Sequence, residues 1–405
     1  MASPTRPVQG IERLWLAAER IQPGFVISLV IEGDGILDLD AFAARLQDAV
    51  TTSMTFHPGF RVRLRGATRW MRGHLDGPVP AVRRVIGVDW DGLGPHDLIE
   101  APLDPERGPA AEVVLVDGAP IRLLFRVHHA AGDARALSPW TRAVFSLLRG
   151  EIPPQAALAP PDSMLLGGHR LGAQAPWAPS PRDQPALLGE CASPTLRTTW
   201  ARVRVPTSPR DVLVRILVAL RGLAPPDGSR VSLPIDLRAP GAPVDGNLTG
   251  IATLDLPTPE GASSAALRAA LRAAVQEARD PQRCGAILRF ADGLRDVPLF
   301  VLAANGRRAA LDQLKAGRFE SLATVSNVGR MDLSGWSGGG FRARHAWVIP
   351  PGSPGNPFFL VLAGDDDGVD LIAAAPVGLA SAGRLTALLD RLAQALVADQ
   401  ASPGG

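Results

Sequence analysis

The sequence predicts an α/β protein in two lobes, and two observations carry that reading. Short apolar runs alternate with segments of helical spacing on both sides of the chain's middle. Between them, residues 151–194 carry Pro-Pro, Ala-Pro-Pro and Ala-Pro-Trp-Ala-Pro-Ser-Pro-Arg without sustained periodicity, as a proline-rich connector does. Residues 1–150 and 195–405 are then two parts of similar size. A length of 405 residues suits two or three domains, at about 150 residues each.

In the first part, residues 38–50 have the spacing of an amphipathic helix, with Asp38 as its cap. Residues 112–116 and 121–127 are apolar runs separated by Asp117-Gly118-Ala119-Pro120, a hairpin signal. Residues 134–148 follow with Leu137, Trp140, Val144 and Leu147 at helical intervals. In the second part, 209–223 reads as a helix, 231–237 as a strand, and the alanine-rich 262–279 as a helix. Strands are expected at 322–326, 346–349, 358–362 and 369–373, and a closing helix at 380–397.

Composition removes several chemistries. The 42 Lys+Arg against 40 Asp+Glu leave a net charge of +2, which argues against a general nucleic-acid binder. Lys315 is the only lysine and there is no tyrosine. A P-loop ending in Gly-Lys-Ser/Thr is therefore absent, a tyrosine acid is impossible, and a Schiff-base lysine is confined to Lys315. Arginine does not stand in for these groups, because it stays protonated. Cys191 and Cys284 are too few for a disulfide framework or a four-thiolate metal site. The N-terminal residues lack the apolar core of a signal peptide, and no run of about 18 apolar residues occurs. A cytoplasmic protein without a membrane span is the expectation.

The residues that stand out chemically are 121–137, Ile-Arg-Leu-Leu-Phe-Arg-Val-His-His-Ala-Ala-Gly-Asp-Ala-Arg-Ala-Leu. An apolar strand ends in two adjacent histidines, His128 and His129, and Asp133 follows four residues later. Neighbouring strand residues point to opposite faces, so only one imidazole can face a given cleft. The same geometry argues against a zinc site built from His128, His129 and Asp133. No metal site is expected.

Together with three further stretches, this segment resembles the chloramphenicol-acetyltransferase-like superfamily. Its members include CoA-dependent acyltransferases, alcohol acyltransferases and the condensation domains of nonribosomal peptide synthetases. The family's His-His-x-x-x-Asp-Gly pattern is matched by His128-His129-Ala130-Ala131-Gly132-Asp133-Ala134. Upstream, Leu103-Asp104 and Arg107-Gly108-Pro109 resemble the family's Leu-Asp…Gly-Pro segment. Downstream, Pro234-Ile235-Asp236-Leu237-Arg238 resembles its strand ending in arginine, with Gly246-Asn247 following. Thr324-Val325-Ser326-Asn327-Val328-Gly329 resembles the Ser-Asn-x-Gly strand of bacterial members. The motifs occur in family order.

The resemblance implies two acetyltransferase-like lobes, each a mixed sheet flanked by helices, with a tunnel between them. It implies transfer of an acyl group from a CoA or carrier-protein thioester to a hydroxyl or amine, with no bound cofactor. His129 would be the general base and His128 structural. Asp133 would turn from the cleft to pair with Arg238, with Asn247 structural beside them. Ser326 or its backbone would stabilise the tetrahedral intermediate. Gly132, Ala134 and Arg135 would lie along the substrate tunnel. The partners implied are a small-molecule acceptor and an acyl or peptidyl carrier protein, and a monomer is expected.

Ala134 departs from the family, which usually has glycine there, and the departure fits a tolerated methyl group, a narrowed tunnel or a reduced activity. The rival reading is a catalytically reduced docking or recruitment module of the same fold. Gly335-Trp336-Ser337-Gly338-Gly339 matches the nucleophile elbow of hydrolases in form only, since an apparent strand follows where a helix is required. His57, His74, His96, His169 and His345 sit among polar, proline or glycine residues and read as surface positions. The arginine preference and the alanine- and proline-rich sequence point to a high-GC bacterial source, and the resemblance implies a role in specialised metabolism.

Overall fold

A computed structural model describes residues 5–36, 38–65, 69–72, 79–97, 100–159, 183–225, 228–238, 243–256, 263–280, 293–294 and 296–400. Residues 160–182 of the proline-rich segment lie outside the described residues, as do Cys284, His74 and His169.

Eleven strands make the two main sheets. In chain order they are β1 (Val26–Asp34), β2 (Val82–Val85), β3 (Ala111–Val116), β4 (Ile121–His128), β5 (Thr198–Val205), β6 (Ser229–Asp236), β7 (Thr249–Leu256), β8 (Ala323–Arg330), β9 (Arg342–Ile349), β10 (Phe359–Gly364) and β11 (Val369–Pro376). The helices used below are α1 (Gly10–Ile21), α2 (Leu39–Ser53), α3 (Ala134–Leu148), α4 (Val212–Leu223), α5 (Ser264–Arg279), α6 (Leu299–Ala316) and α7 (Arg384–Gln400). The first sheet runs β9-β1-β4-β3-β2 and the second β5-β11-β10-β8-β6-β7. Both are mixed: β2 with β3, and β10 with β8 with β6, pair in parallel, and the remaining neighbours are antiparallel.

Each expected segment has its element, displaced by a few residues at the ends. The Asp38 side chain accepts from the Ala41 amide and starts α2, and β3 and β4 form the expected hairpin. Six further elements, α1, β1, β2, β5, β7 and α6, complete the lobes. Strand β9, from within residues 195–405, is lent to the first sheet, where it pairs antiparallel with β1. Two buried apolar clusters underlie the architecture, one beneath each sheet. No helix among the described residues is long and apolar enough to cross a membrane.

Strand β4 is buried along its whole length, because both of its faces are covered. On one face, Phe125 meets Trp140 of α3 edge-on at 5.3 Å between centroids. On the other, buried Arg126 pairs with Glu112, and Arg122 donates to Glu32 at 2.9 Å. A cross-sheet network continues from there. Glu32 faces Arg202 of β5, Arg202 pairs with Asp370 of β11, and Asp370 lies 2.9 Å from His345 Nε2 of β9. His345 Nδ1 also meets Asp365 at 2.7 Å, so this histidine joins β9 to the second sheet and the surface expectation for it is corrected. The apolar neighbours Trp347 and Val348 on β9 draw the strand inward and carry His345 with them.

Candidate active site

The chain leaves β4 at His128 and re-enters regular structure at Ala134, so residues 129–133 form the tight connection between strand and helix. Asp133 ends that connection because its side chain caps α3, accepting from the Ala136 amide at 3.0 Å. The two histidines point apart, as strand geometry requires. His128 is fully buried, 3.5 Å from the Glu19 carboxylate, and its Nδ1 accepts from the Ala130 amide. Glu19 itself accepts from the amides of Gly24 and Phe25, which fixes the turn leading into β1.

His129 faces the other way and is half-buried in the wall of a cavity of 230 Å³. Its ring lies against Trp15 of α1 at 4.8 Å with 10° between the planes, and against Phe25 at 5.4 Å. Its Nδ1 is 3.2 Å from the carbonyl oxygen of Gly132. A carbonyl oxygen only accepts, so Nδ1 carries the proton and Nε2 of the neutral ring keeps a free lone pair. Burial lowers the His129 pKa to about 4, against the opposing pull of the Asp133 carboxylate and the Gly132 carbonyl.

Asp133 turns from the cavity to Arg238. The guanidinium donates through Nη1 to Oδ2 at 3.0 Å, and Nη2 lies 2.9 Å from Oδ1. The Leu248 amide (2.9 Å) and the Thr249 hydroxyl (3.0 Å) also donate to Oδ2. Burial raises the Asp133 pKa, but Arg238 and the amide donors outweigh it and hold the carboxyl below its ordinary value. Arg238 is anchored in turn by Asp236 and by the carbonyls of Val244 and Gly246. From the same loop, Asn247 Nδ2 donates to the carbonyls of His129 and Ala130, at 2.8 and 3.0 Å. The loop after β6 thus grips the histidine connection at three points: the Asp133 carboxylate and the carbonyls of His129 and Ala130.

The sequence-derived residues divide as follows. His129, Asp133, Ala134 and Ser326 line one cavity, with Ser326 on the facing strand β8. Gly132 and Arg135 are not among the described residues that line it. Gly132 is buried against Phe60, and Arg135 is exposed on the first turn of α3. Ala134 occupies the first helical position without a positive φ, so a methyl group fits where the family usually has glycine. Ser337 lies in a turn followed by β9, its hydroxyl accepting from the Ala343 amide, which is not the geometry of a nucleophile elbow.

His57 needs a second correction, because it is buried completely. Its Nδ1 meets Asp245 Oδ1 at 2.8 Å, and the Gly59 amide donates to Asp245 Oδ2 at 2.9 Å. A side chain at Gly59 would stand 2.2 Å from the Asp245 Cβ, so only glycine permits this approach. Asp245 adjoins Gly246 and Asn247, and His57 therefore braces the loop that holds Arg238 and the histidine connection. Trp15, Phe25, Glu19 and His57 carry no local sequence signal for these roles.

No protein-family model matches the chain, and no curated protein matches it. Its architecture is the two-lobed chloramphenicol-acetyltransferase-like fold. Within that fold, the chain is similar to solved condensation domains. The first condensation domain of the CDA synthetase aligns with a TM-score of 0.68 at 17% identity, covering 100% of this chain and 98% of that one. The condensation domain of the monacolin K polyketide synthase MokA aligns at 0.67 and 15%, over 99% and 98%. A mutant of the starter condensation domain of rhizomide synthetase RzmA, in complex with C8-CoA, aligns at 0.64 and 16%, over 98% and 95%.

Proposed function

We propose that this chain transfers an acyl group from a CoA or carrier-protein thioester to a hydroxyl or amine, with His129 as the general base. The observation that carries the reading is the 3.2 Å approach of His129 Nδ1 to the Gly132 carbonyl oxygen. With Nδ1 held by the Gly132 carbonyl, Nε2 is the nitrogen free to serve a substrate in the cavity. As the acceptor oxygen or nitrogen attacks the thioester carbonyl carbon, Nε2 takes its proton. The new C–O or C–N bond forms, the C–S bond breaks, and the proton leaves with the thiolate as a free thiol. The developing imidazolium gains from the Asp133 charge and the Gly132 carbonyl, the two influences that oppose burial in the resting site. Ser326, across the cavity, is the proposed donor to the tetrahedral oxyanion.

Asp133 and Arg238 act as positioning residues, since each is spent on the other and on backbone groups. In this chemistry the thioester is a co-substrate. The fold shared with condensation domains supports acyl transfer in natural-product biosynthesis, with a carrier protein as a partner. The docking-module alternative draws no support from Ala134, because that residue fits a helical position at the cavity wall.

The test is incubation with a panel of acyl-CoA and acyl-pantetheine thioesters, with and without hydroxyl and amine acceptors, reading free thiol and product mass. Acceptor-dependent thiol release is expected. Tight carrier-protein binding with no thiol released from any thioester would overturn the catalytic reading in favour of the docking module.

A further inference from the structure

We propose that the acyl group presented to His129 is an uncharged, apolar chain that carries no ammonium group beside the carbonyl; the proposal rests on the acyl-transfer reading above. The chamber around His129 is walled by aromatic and aliphatic side chains, among them Ile11, Trp15, Phe25, Ile251, Val328 and Phe359. Among the described residues that line it, two are ionisable, His129 and Asp133. Both Asp133 oxygens are already occupied by Arg238, two backbone amides and the Thr249 hydroxyl, so neither is left to neutralise a ligand cation. An aminoacyl thioester carries its ammonium on the carbon bonded to the reacting carbonyl. Attack beside His129 would therefore place that cation inside this chamber, unpaired, where burial strongly disfavours it. An alkyl chain in the same place loses only water-exposed apolar surface, and each methylene that fits strengthens binding about fourfold.

A second chamber of 400 Å³ continues from the first and shares Ala18, Pro234, Ile251, Thr324, Ser353 and Asn356 with it. Beyond the shared residues its wall is more polar than the first chamber's, adding Ser232, Gln313, Glu320 and Ser321 beside Ile21, Ala309 and Ala310. At the junction, Asn356 Nδ2 donates to the Thr324 hydroxyl while its Oδ1 is buried without a partner. That oxygen suits an amide N–H of a pantetheine-type thioester arm, and a neutral acceptor of this kind does not balance an ammonium. The polarity gradient therefore sets the order along the channel: an apolar acyl chain inside and the amide-bearing arm outside.

A matched pair of unreactive thioethers tests the proposal on the full chain. S-octyl-CoA and S-(2-aminooctyl)-CoA differ only in the ammonium next to the position of the reacting carbon. Binding is read from quenching of tryptophan fluorescence, since Trp15 lines the chamber. S-octyl-CoA is expected to bind at least 30-fold more tightly, and Ile251→Asp, at a position 39% exposed and able to accept a carboxylate, is expected to narrow that ratio at least tenfold. Equal or tighter binding of the amine by the unaltered protein, or no saturable binding of S-octyl-CoA, would overturn the proposal. Tight, selective S-octyl-CoA binding with no turnover of octanoyl-CoA would support the ligand class and overturn the transfer reading, so the two failures are distinguishable.

Discussion

Removing either partner of the Asp133–Arg238 pair is expected to cost stability, and the two removals are expected to cost different amounts. Arg238→Ala strips the buried carboxylate of its counter-charge and leaves it the Ala136 and Leu248 amides and the Thr249 hydroxyl. Orphaning a buried charge in this way costs about 3–5 kcal/mol. Asp133→Ala leaves Arg238 with Asp236 and two carbonyls, so its cost falls toward the lower end, with about 1 kcal/mol of it from the lost cap of α3. At about 2 °C per kcal/mol for a large chain, Arg238→Ala is expected to lower Tm by roughly 6–10 °C. The pH dependence supplies an independent sign. In the native protein the Asp133 carboxyl is held below its ordinary value, so its contribution is present at neutral pH and lost as pH falls through the depressed folded value. Without Arg238, burial is no longer outweighed and the carboxyl moves above its ordinary value. In the variant that carboxyl's contribution is then largest at low pH and is lost as pH rises, so the deficit relative to the native protein shrinks between pH 7 and pH 4. Urea unfolding of the two single variants and the double variant at both pH values measures all of this. Single variants that melt within 1 °C of the native protein, or an additive double variant, would refute the pairing as the element that holds the connection.

Three further outcomes follow from the site. With His129 neutral down to about pH 4, kcat/KM is expected to stay flat from pH 8 to pH 5 and to fall tenfold per pH unit below about 4; an inflection near 6.5 would show an imidazole that is not desolvated. Ser326→Ala is expected to lower kcat on the order of 10²-fold with little change in KM, the pattern of a lost oxyanion donor, and an unchanged kcat would remove Ser326 from that role. Ala134→Gly is expected to lose about 0.5–1 kcal/mol of stability and to change the rate less than threefold, because the backbone there is already helical; a large gain in rate would mean that the methyl group narrows the channel.

The histidine connection was legible because every part of it is local. An apolar run sets β4, its end exposes one histidine of an adjacent pair, and Asp133 caps the helix whose apolar spacing follows. The pairing of Asp133 with Arg238 became readable only through the resemblance, since the two side chains lie 105 residues apart. Parts with neither a local pattern nor a motif stayed hidden. Trp15 and Phe25 look like ordinary core residues in the sequence, yet both rings pack against His129 and against each other. His57 and Asp245 are separated by 188 residues and gain their partnership from the fold alone. Adjacency in sequence also does not decide which residues face the cavity. Gly132 and Arg135 adjoin the motif in sequence, but the turn buries one and the helix exposes the other. Strand β9 shows the same limit at a larger scale, because its apolar run identifies a strand without saying which sheet receives it.

The central claim is that His129 takes the proton during acyl transfer while the rest of the site holds it in place. The most direct measurement is the rate of acceptor-dependent thiol release by His129→Ala beside the native protein, with circular dichroism and Tm recorded on both. The expected result is a loss on the order of 10²–10⁴ in rate with the fold retained. Transfer at the native rate by the folded variant would contradict the claim.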